Sequence, residues 1–580
     1  MPIQFIALPA ELADTSHDRG KQTTARLREL GIISRGNVGT LALFASEATP
    51  VVDVPHGGKL VGHVYDHAGN AVVDPTTIPQ LPAPSALREH LLGHFWGQYI
   101  LVQPGEDGPH SVSALREPSG AVPCAYSAIG NGIFITSDLA LARHLNLYQE
   151  QVDWEFVNHC LLYPHIKTVR TGISQVSELL PGSVLTAVGN KTATGTAWSP
   201  WTFVSPAQRQ FSFSAAAQTI REVTTSVVKA MAATDQKLLL ELSGGLDSSI
   251  VGVCLAQARA DVSCCTAVTP LPGADERSYA ALIAALFGAS LMERTLAFED
   301  ARIQFEIPVH SLRPAVWALG RAVAGAMDGA ADSQQVNSLF SGGGGDTVFG
   351  YLASAAPAAD ALIERGVAAG CKAIVNLSRL HACTFATAAR LTLRKLYRPP
   401  RSPYKPNVQL LADQTTAAPL ELHPWLMVPS GALPGDRERI NDLTGAQLFA
   451  DSTLRASGRQ VRMPLLSQPV MEACLRVPTW MWIAKGQNRA VARAAFSQQL
   501  PPEILHRRSK GTFMNFSYAV YRREKKTIER FLLDGHLQAR GLLDQQKLQL
   551  FLETPLPARD QSFMRVFDLC MIENWLRNHA

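Results

Sequence analysis

Long apolar runs, paired cysteines and an excess of one charge are all missing from this sequence of 580 residues. No run approaches the roughly 20 apolar residues that span a bilayer as a helix. The start has no basic stretch leading into a long apolar core, and Pro9 interrupts the only candidate. A cytoplasmic chain without a membrane span is expected. The nine Cys show no short paired spacing, and adjacent Cys264 and Cys265 sit in an apolar, strand-like run that cannot form a zinc knuckle. Buried free thiols in a reducing compartment follow from that pattern. A formal charge of +4 is too small for this length to imply general nucleic-acid affinity.

What is present is the composition of a globular protein, 46% hydrophobic and 18% charged, long enough for two or more domains. Residues 1–205 read mostly as β-structure. Short strand-like runs such as Ser111 to Leu115 and Gly132 to Thr136 alternate with turn signals at Pro104-Gly105, Gly120 and Gly130-Asn131-Gly132. Past Trp198-Ser199-Pro200-Trp201 the chain turns polar over 205–212, which marks a linker. A helical pattern from Ala215 to Met231 then opens a second domain, 206–580.

The second domain is organised around Leu239-Leu240-Glu241-Leu242-Ser243-Gly244-Gly245-Leu246-Asp247-Ser248-Ser249. An apolar strand enters a two-glycine turn, and an apolar helical run follows. Such a turn offers backbone N–H groups and a helix dipole to an anion. Asp247 adds a hard oxygen ligand suited to Mg²⁺. No Gly-Lys-Ser/Thr follows the glycines, so this is not a Walker loop. Val262 to Val268 reads as the next strand, and a helix follows Asp275-Glu276. Val336 to Phe340 is a third strand that runs into Ser341-Gly342-Gly343-Gly344-Gly345-Asp346. Consecutive glycines let a backbone approach a ligand closely, although a flexible surface loop has the same composition. The stretch Arg390, Arg394, Lys395, Arg398, Arg401, Lys405 is either a solvated helix end or a dock for an acidic peptide or partner protein.

The Ser-Gly-Gly-x-Asp-Ser-Ser run resembles the pyrophosphate loop of the ATP pyrophosphatase superfamily, whose members split ATP to AMP and pyrophosphate while activating a substrate. Gly93-His94-Phe95-Trp96-Gly97, Arg116-Glu117-Pro118-Ser119-Gly120 and Leu180-Pro181-Gly182-Ser183 resemble landmarks of the glutaminase domain of asparagine synthetases. Asp451 with Arg462-Met463-Pro464-Leu465-Leu466, and Arg508-Ser509-Lys510-Gly511, resemble elements of the synthetase domain. The resemblance implies a glutaminase-like, Ntn-type α/β sandwich followed by a PP-loop ATP pyrophosphatase α/β synthetase domain. It also implies ATP bound by Leu242, Ser243, Gly244, Gly245, Asp247, Ser248, Ser249, Val268, Ser341 and Gly342, and Mg²⁺ held by Asp247 and Asp346. Lys510, supported by Arg508, would stabilise charge as the acyl-adenylate is attacked. Arg489, on a helix with Arg493, stands where many relatives have a phosphate-contacting Lys. Leu242 and Val268 are equally ordinary strand core.

Two departures narrow the reading. Glutaminases of this type use an N-terminal Cys; here Pro2, Ile3 and Gln4 follow Met1 and the first Cys is Cys124. A glutamine-derived ammonia supply is therefore not expected. Gly343 offers no Tyr of the kind β-lactam synthetases use as a base. The glycine run and His423-Pro424-Trp425-Leu426 resemble lasso-peptide macrolactam cyclases. Those adenylate an Asp or Glu side chain of a core peptide and close an isopeptide ring on its α-amine. That implies a precursor peptide, a leader peptidase and a leader-binding protein as partners. A small-molecule amide or β-lactam synthetase and a non-catalytic ATP-binding scaffold are the alternatives.

Overall fold

The computed structural model describes residues 2–579 except 109, 236, 272, 274, 309–310, 337, 399–403, 416–417, 457–458, 509–510 and 558. Its first third is a pair of six-stranded antiparallel sheets. One runs Ser177–Glu178, Ala125–Ile129, Gly132–Thr136, Phe5–Pro9, Leu41–Ser46, Ile32–Val38. The other runs Lys191–Thr196, Ser183–Val188, Ser111–Arg116, Phe95–Pro104, Gly58–Asp66, Val51–Val54. The inner faces meet in a core that includes Phe5, Leu43, Ile135, Val61, Ile100 and Leu185.

Alternation explains why strand Phe5–Pro9 is apolar throughout. Phe5 and Ala7 point into the sandwich, whereas Ile6 and Leu8 point outward. That outward face is not solvated. It packs in a second core with Tyr521, Ile528, Leu569 and Trp575 from the C-terminal helices. The sandwich is thus joined to the rest of the chain by apolar burial on a whole sheet face.

The remainder is built on a five-stranded parallel sheet in the order Leu291–Thr295, Asp261–Val268, Lys237–Glu241, Ser338–Ser341, Gln460–Arg462. Lys237–Glu241 comes first in sequence yet lies at the centre. Strand order reverses there, which leaves a crevice at the carboxyl ends of the two central strands. Ligands bind in such crevices. Helix Phe213–Ala232, capped by Ser212 on the Ala215 N–H, leads into this sheet. Helix Leu246–Ala258 is buried along most of its length because it lies against the sheet.

Some expectations need correction. The third strand starts at Ser338, not Val336, and Asn337 lies outside the described residues. Arg489 is not inside a helix: the helix is Ala490–Ala495, and Arg489 precedes it in the left-handed region at φ 56°. The nine thiols are all free, but Cys371 is exposed and Cys383 half-buried. Among the described residues no helix is long and apolar enough to cross a membrane.

Candidate active site at the sheet switch point

Ser243, Gly244 and Gly245 connect the central strand to helix Leu246–Ala258. Gly244 takes φ 69° and approaches a neighbouring helix so closely that a Cβ would lie 2.5 Å from Tyr279 Cβ. Both the backbone sign and the contact require glycine there. The Gly245 N–H donates to Ser243 Oγ at 3.3 Å, and Ser243 Oγ lies 3.1 Å from Ser248 Oγ. Gly245 is the helix N-cap and has no side chain to cap it, which leaves the positive end of the dipole to a ligand.

The second loop uses its glycines for close approach to protein neighbours. A Cβ on Gly342 would lie 2.5 Å from the Ser248 nitrogen, on Gly344 2.3 Å from Leu466 Cγ, and on Gly345 2.5 Å from Asp247 Cβ. These residues bring the two loops into backbone contact. Gly343 also has neighbours, with Phe449 Cε1 3.0 Å from the Cβ position. Ser341 Oγ donates to Glu241 at 2.9 Å, and burial pushes that carboxyl up from the usual range.

Close loop packing places Asp247 beside Asp346. Arg489 Nη1 donates to Asp247 Oδ2 at 3.0 Å and to Asp346 Oδ1 at 2.8 Å. The guanidinium lies 5.3 Å from the Tyr351 ring centre. Two carboxylates thus converge on one cation. The same two hard donors suit Mg²⁺ when phosphate oxygens and waters complete its shell. Among the described residues no group of three or more His, Cys, Asp or Glu could hold a metal.

Arg493 donates to the carbonyls of Asn488, Ile504, Leu505 and Arg507, and so ties the segment after Pro502 to the start of its own helix. Burial, then the Arg489 charge, lowers it to about 10. Arg507 donates to the Gly244 carbonyl at 3.3 Å and to Glu276 Oε1 at 2.5 Å, and stacks on Tyr279 at 3.9 Å. Arg508 is exposed and does not line the cleft. Lys510 lies outside the described residues.

The crevice has a volume of about 730 Å³. Of the expected nucleotide residues, Ser243, Gly245, Asp247, Ser248, Ser341 and Gly342 line it, with Asp346 and Arg489. Leu242, Gly244, Ser249 and Val268 lie behind that lining. The Leu242 N–H donates to Cys265 O and the Val268 carbonyl accepts from Leu296, both at 2.8 Å, so these peptide groups serve the sheet.

With strand order, loop pair and acid pair in place, sequence comparison decides the family. The asparagine synthase family profile matches residues 219–577, more than half of the chain. The chain belongs to the asparagine synthase family. Membership implies an ATP-dependent ligase that forms carbon–nitrogen bonds. No curated protein matches. Among solved structures, similarity is found to the allosteric regulatory enzyme of purine biosynthesis, at 9% identity over 54% of this chain and 84% of that one, with a TM-score of 0.20. It is also found to the glutamine phosphoribosylpyrophosphate amidotransferase from B. subtilis complexed with ADP and GMP, at 9% identity, 50% and 81% coverage, and a TM-score of 0.20. Overlap at that level carries no argument.

The cleft of this family member holds residues that spacing did not single out. Helix Pro434–Ala456 lines one wall with Asn441, Asp442, Gly445, Ala446 and Phe449, an i, i+1, i+4, i+5, i+8 face. Asp442 stays partly open to solvent, yet desolvation, then the Glu438 charge, pushes its carboxyl up to about 6. The Tyr404 hydroxyl donates to Asn441, and His165 reaches the cleft from the sandwich. Helical periodicity in 434–456 was the available signal; His165 had none.

The signature residues Asp451 and Arg462 lie elsewhere. Asp451 pairs with Lys167 of the sandwich, and Lys167 also lies 3.0 Å from Glu178, which Arg116 and Arg313 contact at 2.9 and 2.5 Å. All five side chains are buried. Arg462 donates to Asp235 at 2.7 Å and to Gln98 at 2.6 Å. Both residues join sandwich to synthetase domain. His423 is buried too, its Nδ1 accepting from the Trp425 N–H at 3.1 Å, with the Trp425 ring 5.1 Å from Trp198.

Proposed function

We propose that this protein is an ATP-dependent macrolactam cyclase of the lasso-peptide type. An Asp or Glu side chain of a core peptide attacks the α-phosphorus of ATP, and pyrophosphate leaves. The peptide's own α-amine then attacks the acyl carbon. The acyl C–O bond of the mixed anhydride breaks and AMP departs with its electron pair, the amine loses a proton, and an isopeptide bond closes the ring. The observation that carries the adenylation half is the convergence of Asp247 and Asp346 on Arg489 at the switch point. Mg²⁺ held by the two carboxylates would offset charge on the leaving pyrophosphate. Serine hydroxyls and the helix dipole of the first loop orient the phosphates, and Lys510 is assigned to the adenylate.

The peptide half is supported by the size of the cleft and by its helix wall, which leaves room beside a nucleotide. Holding amine and acyl carbon together is the main demand of ring closure. An α-amine has a pKa of about 8, so it loses its proton easily. The glutaminase-like, Ntn-type sandwich acts as a scaffold in this reading. Its thiols Cys124 and Cys160 are buried and pushed up to about 12, far from a nucleophile's range. Partners are a precursor peptide, a leader peptidase and a leader-binding protein in the cytoplasm.

A second reading, a small-molecule amide or β-lactam synthetase, draws support from Tyr351 and Tyr404 in the cleft. Burial raises the Tyr404 phenol, which makes it harder to ionise before it can take a proton. The test is incubation with ATP, Mg²⁺, the peptidase and candidate precursors. Mass loss of one water from the peptide with AMP and pyrophosphate supports the cyclase. Cyclisation of a free amino-acid derivative supports the second reading, and ADP with phosphate overturns both.

A further inference from the structure

Helix Phe385–Tyr397 rests on its neighbours through a narrow face. Ala388 and Thr392 are buried, and Thr387, Ala389 and Leu396 half-buried. The rest of its surface is open. Arg390, Arg394 and Arg398 follow one another at i, i+4, i+8 and form one exposed row that continues just past the helix end. None of the three forms an ion pair among the described residues, whereas neighbouring Lys395 pairs with Glu438. Like charges at this spacing repel and weaken a helix. Favourable interaction with the helix dipole accounts for charge in the last turn only, not for Arg390.

Apolar groups flank the row. Leu391 and Leu393 are 40% and 48% exposed, and Tyr397 is 82% exposed. Exposed aromatic and aliphatic groups beside unpaired arginines are the composition of a binding surface. The patch is continuous with the cleft. Lys395 holds Glu438, which precedes Asn441 and Asp442 by one turn of the wall helix, and Tyr404 reaches back to Asn441.

We propose that this helix docks an acidic, extended peptide segment and feeds the cleft with its neighbouring residues. Four helical residues advance about 6 Å along the axis. Alternate side chains of an extended chain are about 6.6 Å apart. Carboxylates at every second position therefore meet successive guanidiniums, each able to form a bidentate pair. The residues between them face away. Leu391, Leu393 and Tyr397 flank the row and pack on the methylene stems of those carboxylate side chains. A nucleic-acid backbone would match the charge but leave Leu391 and Leu393 unused. This inference deepens the peptide-cyclase reading and rests on it.

The test uses the full-length protein without ATP. Fluorescence anisotropy follows a labelled 12-residue peptide of alternating Glu and Leu, its Lys-for-Glu counterpart, and a labelled single-stranded RNA hexamer. The Glu peptide is expected to bind, and the Lys peptide and the RNA at least about tenfold more weakly, a difference of one power of ten in Kd. The R390E/R394E/R398E variant is expected to lose at least the same factor. If circular dichroism shows that it misfolds, R390Q/R394Q/R398Q and, separately, L393S/Y397S replace it. Equal binding by wild type and a folded variant overturns the proposal, and so does RNA binding as tight as that of the Glu peptide. Pyrophosphate release on the same variants reads the cleft. Lost docking with intact adenylation, or intact docking without cyclisation, tells the two readings apart.

Discussion

Asp247 and Asp346 accept hydrogen bonds from the same nitrogen of Arg489, at 3.0 and 2.8 Å. Neither lies near the other in sequence. They meet because parallel strands Lys237–Glu241 and Ser338–Ser341 are neighbours whose following loops pack through glycine. The Arg489 cation is held between the two loops.

The acid pair can be tested by removing one charge at a time. Asp247→Asn and Asp346→Asn are each expected to slow pyrophosphate release by about 10²–10³-fold, the scale of losing one preorganised electrostatic contact. Arg489→Lys keeps the charge without the fork, and a smaller loss of about tenfold is expected. Rates within threefold of wild type for either acid variant would remove the pair from the mechanism.

Glycine at 345 is required by contact with Asp247 rather than by its own backbone angle. Gly345→Ala must push Asp247 away from a Cβ only 2.5 Å distant. A cost of about 1–3 kcal/mol in urea unfolding is expected, as for other overpacked sites. Pyrophosphate release should fall more steeply than stability does. Ala at 366, where no neighbour lies within 4 Å but φ is 79°, serves as a control that strains backbone alone.

Lys167 is the cation of buried Asp451 across the interface between sandwich and synthetase domain. Lys167→Met strands that carboxylate in the interior, and a loss of about 3–5 kcal/mol is expected. Adding Asp451→Asn to it should recover part of the loss, because the two changes share one contact. Additive losses in the double variant would contradict the pairing.

His423 predicts an acid-side loss of stability. Burial holds its imidazole down to about 3, and its Nδ1 accepts a backbone N–H, so the folded protein keeps it neutral. The unfolded chain takes up that proton below about pH 6.5, which favours unfolding as pH falls toward the folded value. Between pH 7.5 and 5 the wild type should lose about 2 kcal/mol relative to His423→Asn, which retains an acceptor and cannot titrate. Parallel stability curves for the two proteins over that range would exclude the titration.

Much of the site was legible because its parts are local. A strand, a two-glycine turn and a helix occupy consecutive residues, and the spacing of Ser243, Gly244, Gly245 and Asp247 encodes that geometry directly. The second loop reads the same way up to Asp346. Alternation and helical periodicity also placed the sandwich strands and helix Phe213–Ala232 close to where they fold.

Only the tertiary structure decided which distant groups meet. Adjacent Arg507 and Arg508 have the same charge, but Arg507 packs on Tyr279 and Glu276 while Arg508 is exposed. Composition cannot separate two such neighbours, because chain direction decides which side chain faces inward. Asp451 and Arg462 carry a family-like spacing, yet they anchor the sandwich because Lys167 and Gln98 are brought up against them. The four glycines advertise close approach without saying to what; the fold shows that Gly342 and Gly345 meet the other loop, Gly343 meets Phe449 and Gly344 meets Leu466. Sequence determined the local strand–turn–helix units. The order of the parallel strands, set by burial across the whole sheet, determined that two of those turns share one crevice.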